Sequence, residues 1–269
     1  MIAPSGARRF GIRRRTMRLA ITRQVSPAFG DCLLTHLDRQ PIDVELAQRQ
    51  HADYERLLAE LGYEVRTLPA EPSLPDSVFV EDVAVVLDEA AIVTRPGAAA
   101  RRQETAAVAE VLAPHRRLLP IEPPATLDGG DVLRLGRTLW VGLTGRTTEE
   151  GVSQLRTLAS PLGYRVSAVP VRGCLHLKSA VTAVGEDTLL LNPEMVGGEA
   201  FAGHRRIEVD PAEPLAANAL RAAGAVILPA HHPRTRRRLE EAGLRVVTVE
   251  ATEVAKAEGG VTCCSLLLE

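Results

Sequence analysis

Four short stretches hold the residues able to do chemistry. Two adjacent cysteines lie in GGVTCCSLLLE at 259–269, a histidine stands between leucines in GCLHLKSAV at 173–181, and acids interrupt PDSVFVEDVAVV at 75–86 and TLDGGDVLRLG at 126–136. A thiol and an imidazole point to nucleophilic catalysis. The thiolate is the attacking species, and an imidazole held by an acid moves protons near neutral pH. A thiol with an ordinary pKa of about 8.5 needs help to ionise. Asp76, Glu81, Asp82, Asp128 and Asp131 bring several carboxylates with no matching bases beside them. Such excess negative charge suits a cationic ligand, above all a guanidinium, whose planar fork of donors pairs with carboxylates two at a time.

Each residue also has a plainer reading. Asp76 follows Pro75 and serves equally as a turn cap. Asp128 and Asp131 flank two glycines, as in a simple hairpin turn. A lone His176 among leucines is compatible with a structural core position. Glu81 and Asp82 read as mid-strand acids among Val and Phe, without a base nearby in sequence, so burial would require a bound cation as their partner. Along a strand, Cys263 and Cys264 would face opposite sides, one toward a site and the other packed as a small hydrophobe. A non-catalytic alternative is a zinc site built from Cys174, His176, Cys263 and Cys264, although the CxxC knuckle of such sites is missing.

A repeated grammar supplies the elements that would position these residues: an amphipathic helix, a glycine suited to a left-handed cap, then a short strand. LGYEV at 61–65 follows a helix starting near Asp43, with Leu46, Gln50, Tyr54, Leu57 and Leu61 at helical spacing. LGYRV at 162–166 follows a helix opened by the capping-box pattern Thr147-x-x-Glu150, and AGLRV at 242–246 follows another beginning near Thr235. Weaker copies end near residues 112 and 203. Paired strand candidates lie between: VFVEDVAVVL with AIVT, DVLRL with TLWVG, LHLKSAVTAV with TLLL, and AANAL with AVIL. The spacing of about 40–50 residues implies repeated modules. Each unit reads strand, strand, helix, strand, and the hairpins argue against a doubly wound sheet. A ring of five α/β blades explains the count. The final strand at 261–268 would pair with the first, at 19–22, and close the circle in a single domain over 19–269.

Bulk composition sets outer limits. The chain has 269 residues, is 45% hydrophobic and 25% charged, and carries a formal net charge of -2, with acids and bases interspersed. No basic footprint for a nucleic acid appears, and the partner expected is a small molecule. Four cysteines without a framework spacing suggest free thiols and a cytoplasmic location. No stretch has the 18 or more apolar residues of a membrane span, so no membrane partner is expected. The basic run ARRFGIRRRTMR at 7–18 reads as part of a disordered extension over 1–18, or as an over-long start with Met17 as first residue.

LPDSVFVED, TRPGAAARRQE, LDGGDVL, LHLKS, AAN at 216–218 and GGVTCCSLL occur in that order from about residue 19. In this set of motifs the chain resembles the dimethylarginine dimethylaminohydrolases, members of the guanidine-modifying (pentein) superfamily of five-bladed α/β propellers. The resemblance implies hydrolysis of Nω-methylated arginines to citrulline and an alkylamine through a covalent cysteine intermediate. It implies Cys263 as nucleophile, His176 as general acid and base, and Asp128 as the acid orienting His176. Asp76, Glu81 and Asp82 would receive the guanidinium and amine. Arg95 and Arg146 would hold the carboxylate, with Leu34 and the backbone of Ala257 lining the entrance. No cofactor or metal is implied, and a homodimer is compatible. Arginine or agmatine deiminases and amidinotransferases of the same superfamily are the alternatives within it. Ala257 and Glu258 depart from the pattern, in which a larger aliphatic residue precedes aspartate. The absence of a long helical insertion sets the chain apart from arginine deiminases.

Overall fold

The computed structural model describes residues 18–269; the arginine-rich stretch before Arg18, with Met17, lies outside them. The described residues form five three-stranded sheets arranged as blades. The first blade contains β1 (Arg18–Arg23), α1 (Val44–Glu60) and β2 (Tyr63–Leu68). The second runs β3 (Ala84–Val86), β4 (Ala90–Val93), α2 (Thr105–Leu112) and β5 (Arg117–Pro120). The third runs β6 (Val132–Leu135), β7 (Thr138–Leu143), α3 (Glu149–Ala159) and β8 (Arg165–Pro170). The fourth begins with the single turn α4 (Leu177–Ala180), then β9 (Val181–Ala183), β10 (Thr188–Leu191) and β11 (Arg205–Glu208). The fifth holds β12 (Leu220–Ala222), β13 (Ala225–Pro229), α5 (Pro233–Glu241) and β14 (Val246–Val249), after which α6 (Thr252–Lys256) leads to β15 (Leu266–Leu268).

Within each blade an inner strand pairs antiparallel with a middle strand, and the middle strand pairs parallel with an outer one. The hairpin needs only a short turn, whereas the parallel pair needs a longer crossover, supplied by a helix in four blades and by the 3-10 turn Gly198–Phe201 in the fourth blade. Ring closure occurs as the repeat implies: β15 supplies the inner strand of the first blade, with Leu19 opposite Leu268 and Ile21 opposite Leu266. Five apolar clusters fill the five blade interfaces, for example Leu19, Ile21 and Leu268 against Val83, Ala91 and Leu112.

The inner strands are shorter than the text suggests. Residues Val80–Val83 and Gly129–Asp131 are 3-10 turns, residues 177–180 are a helical turn, and 214–217 and 261–264 are turns. Apolar runs of this length do not distinguish a strand from a buried turn, and here the turns carry inward-facing polar groups. Boundaries shift elsewhere too. β1 starts at Arg18, one residue inside the expected extension. Thr148 caps α3, accepting from Gly151 N, because Thr147 is drawn instead to Asp131. The buried face of α1 is Ala47, Gln50, His51, Tyr54 and Leu58, rotated slightly from the leucine spacing. Among the described residues no helix is long and apolar enough to cross a membrane.

Because β15 closes the ring through Leu268 in a blade interface, Leu268→Ala should lower the free energy of unfolding by about 2–4 kcal/mol, read from urea denaturation. An unchanged midpoint would mean that closure contributes nothing to stability.

Candidate active site

The five turns preceding the inner strands deliver polar side chains to one region at the axis. The second blade brings Glu81 and Asp82, the third Asp128 and Asp131, the fourth His176 and Lys178, the fifth Asn218, and the segment before β15 brings Thr262 and Cys263. Asp76, Asp82, Arg146, His176, Ala257 and Cys263 line a narrow cleft on one side of these turns. On the other side an axial cavity of about 370 Å³ is lined by the inner strands and ends at Glu81, Lys178 and Thr262.

Asp82 does not wait for an external cation. Its Oδ2 lies 2.5 Å from Nη1 of buried Arg101, whose Nε and Nη2 are held by Glu104 and whose Nη2 also donates to the carbonyls of Asp76 and Phe79. The sequence conceals this pairing because Arg101 arrives from the next loop, 19 residues away. Burial alone would raise Asp82, but the His176 and Arg101 charges hold it below its usual value. Glu81 points away from the cleft. It lies 2.5 Å from Lys178 Nζ and accepts from Thr262 Oγ1 at 2.8 Å, and burial still raises it despite Lys178.

His176 sits between two acids. Its Nε2 is 3.0 Å from Asp128 Oδ2 and its Nδ1 is 3.6 Å from Asp82 Oδ1. Burial disfavours the imidazolium, but the charge of Asp82, the hydrogen bond to Asp128 and the charges of Asp131 and Asp128 together outweigh it and push His176 up to about 9. Gly130 permits this packing: a Cβ there would fall 2.6 Å from His176 Nδ1. Asp131 is structural support, since Thr144, Thr147 and the Leu177 amide all donate to it.

Cys263 and Cys264 occupy a turn, not a strand, yet still diverge. Cys263 faces the cleft, while Cys264 packs near Tyr54 and donates to Gly260 O. Burial, then the charges of Glu81 and Asp82, push the Cys263 thiol up to about 12. The surroundings thus favour a neutral thiol at Cys263 and an imidazolium at His176, both of which line the same cleft.

Other expected residues are placed unevenly. Asp76 lines the cleft and accepts the Leu33 amide, and Ala257 lines the cleft as well. Leu33 lines the cleft, and its neighbour Leu34 is partly buried against an apolar cluster. Arg146 lines the cleft, with Nη1 3.8 Å from Asp128 Oδ2, whereas Arg95 is held by the carbonyls of Pro124 and Ala125. The zinc set does not assemble. Among the described residues the one grouping of acids, imidazoles and thiols close enough to share an ion is Asp82, Asp128 and His176, which contains no cysteine. Arg101, Glu104, Lys178 and Thr262 escaped the sequence reading because charged and hydroxyl residues beside turns carry no periodic signal; the available clue was their place inside the quoted motifs.

The profile of the arginine deiminase family matches residues 70–219. The chain is 40% identical over 250 residues to an N(G),N(G)-dimethylarginine dimethylaminohydrolase of Streptomyces coelicolor, spanning 93% of this chain and 96% of that relative. It is 36% identical over 229 residues to the enzyme of that name from Pseudomonas aeruginosa, spanning 83% and 89%. A solved structure of a cysteine-to-serine mutant of the Pseudomonas aeruginosa enzyme, complexed with citrulline, superposes with a TM-score of 0.90 at 33% identity, covering 94% of this chain and all of that one.

Two stability measurements test the charge arrangement. Asp82→Asn breaks a buried pair and leaves Arg101 short of one partner, so the ligand-free protein should lose about 3–5 kcal/mol in urea unfolding. Equal or greater stability would show that the pair is not structural. His176 is raised above its unfolded value of about 6.5, so its stabilising contribution is complete below that pH and is lost as pH rises through about 9. His176→Asn should flatten that alkaline decline, of about 3 kcal/mol at most, and an identical decline in both proteins would contradict the assignment.

Proposed function

Starting from the fact that this chain belongs to the dimethylarginine dimethylaminohydrolase family, within the five-bladed superfamily that includes arginine deiminases, we propose that Cys263, His176 and Asp128 carry out its reaction. The protein is a hydrolase acting on the guanidino C–N bond of dimethylarginine, a small-molecule substrate. The observation that carries the residue assignment is His176, set between Asp128 and Asp82 in the cleft that also holds the Cys263 thiol.

The cationic substrate is part of the activation. A guanidinium entering beside Asp82 adds positive charge near Cys263, favours the thiolate, and the thiol proton leaves to solvent. Sulfur attacks the guanidinium carbon, and a tetrahedral species forms. His176 then gives its proton to the departing nitrogen, the C–N bond breaks, and dimethylamine leaves an amidino group on sulfur. Neutral His176 next takes a proton from water as its oxygen attacks the same carbon. Collapse breaks the C–S bond, the new hydroxyl gives its proton to solvent as the ureido carbonyl forms, and the thiolate and citrulline separate.

Asp128 keeps one ring nitrogen occupied, so His176 exchanges protons through Nδ1 on the side of Asp82. In this reading Asp82 steadies the guanidinium, Asp76 takes the substrate amine in competition with the Leu33 amide, and Arg146 receives the carboxylate at the mouth. Glu81 braces the floor through Lys178 and Thr262. Arg95 supports the loop under the carboxylate end by its hold on Pro124 and Ala125. Release of free arginine's terminal nitrogen as ammonia is the rival specificity, which a comparison of ammonia with dimethylamine release decides.

Cys263→Ser should abolish citrulline formation, whereas Cys264→Ser should leave a folded, active enzyme, because the two thiols face different surroundings. Activity in both variants would refute thiol catalysis. Arg146→Ala should reduce kcat/KM for dimethylarginine by about a hundredfold, about 2.7 kcal/mol, but by much less for a methylguanidine lacking the carboxylate. Equal losses on both substrates would place Arg146 elsewhere in the reaction.

A further inference from the structure

Asn218 is the polar side chain that the fifth blade contributes to the axis, in the AAN segment just ahead of β12, and the mechanism above leaves it unused. It is buried, and a buried amide must satisfy its donors and its acceptor. Its Oδ1 accepts the Thr262 backbone amide at 3.0 Å. A backbone N–H can only donate, so this contact fixes which end of the side chain is the carbonyl. The NH2 group therefore points the other way, toward Thr262 Oγ1 at 3.1 Å and the Cys263 sulfur at 3.8 Å.

Thr262 also has its oxygen 3.8 Å from the sulfur, but its hydroxyl proton is committed to Glu81 Oε2 at 2.8 Å. Glu81 is pinned in turn by Lys178. The hydroxyl is thus an acceptor for Asn218, and of these two side chains only the amide has an N–H for sulfur. Residue 260 admits the arrangement because a Cβ there would lie 2.4 Å from Asn218 Cγ.

We propose that Asn218 is a catalytic residue of this enzyme, donating a hydrogen bond from its side-chain amide to the Cys263 sulfur, a proposal that rests on the reading of Cys263 as nucleophile. The bond is long for a neutral thiol and tightens as sulfur gains charge, because charge-assisted hydrogen bonds are shorter and about twice as strong. It therefore favours thiolate over thiol. The same preference acts twice in the cycle, once when sulfur attacks and again when sulfur departs from the second tetrahedral species. In a cleft where burial and two carboxylates oppose the thiolate, a fixed donor acts in the opposite direction.

The test is iodoacetamide alkylation of Cys263 in the ligand-free enzyme across the alkaline range, followed by peptide mass spectrometry. Asn218→Ala should cut the thiolate fraction at a given pH about tenfold, one unit of thiol pKa, and slow alkylation about three- to tenfold, since each remaining thiolate is the better nucleophile. Its kcat/KM should fall about 10–100-fold. Asn218→Asp keeps the acceptor for the Thr262 amide but offers sulfur a carboxylate oxygen, so its alkylation should be slower than that of Asn218→Ala. Should Asn218→Ala fail to fold, the isosteric Asn218→Asp decides alone. Alkylation profiles and turnover matching the parent enzyme in a folded variant would overturn the proposal, since a merely structural role would shift thermal stability without moving thiol reactivity. A Cys263→Ser enzyme that still turns over would instead remove the nucleophile assignment itself, an outcome distinct from failure of the Asn218 arm.

Discussion

The constraint on which this structure depends is that an ionised group cannot be kept out of water without a partner. At the axis of the ring, Asp82, Asp128, Asp131, Glu81 and Glu104 are all buried, and each is answered by a cation, an imidazolium or several donors. Arg101 shows how closely the compensation is made. Its guanidinium is surrounded by two carboxylates and two carbonyls, so it partners Asp82 through one oxygen and leaves the other facing Gly130 N and His176. Breaking a buried pair strands the remaining charge, which explains why these positions are coupled.

Chemistry follows from the same bookkeeping of charge. Asp82 raises both His176 and Cys263, so in the proposed reaction one carboxylate favours the proton donor and holds the nucleophile in its neutral form. A neutral thiol is protected from indiscriminate alkylation and oxidation, because the thiolate is the reactive form. Activation then requires positive charge in the cleft, which the guanidinium of the substrate carries. In the proposed reaction substrate recognition and nucleophile activation become one event, and an uncharged analogue of equal shape lacks the means to trigger it.

The ring makes this concentration of charge achievable. A turn precedes each inner strand, so five sequence-distant segments reach the axis, and each contributes one or two polar groups. Apolar clusters at the blade interfaces hold the turns in register. The floor formed by Glu81, Lys178 and Thr262 divides the reactive cleft from the axial cavity, so the carboxylate adjoining Asp82 in sequence serves the opposite side.

Much of this was legible in the chain itself. Helix, glycine and strand recur with a period that specifies five blades, and the pairing of β15 with β1 follows from the leftover strands at each end. The reactive residue types were visible as interruptions in apolar text, and ordered motifs assigned Cys263, His176 and Asp128. Apolar runs could not reveal that the residues before the inner strands are turns, because a buried turn and a buried strand draw on the same side chains. That difference reversed the reason, though not the result, for the divergence of Cys263 from Cys264. It also decided which way Glu81 points. The pairing of Asp82 with Arg101, the choice of Thr148 over Thr147 as cap, and the contact of Asn218 with sulfur were settled only in three dimensions. Periodicity is a local property that a sequence displays directly, whereas the partner of a buried charge is chosen by which turns the closed ring brings together.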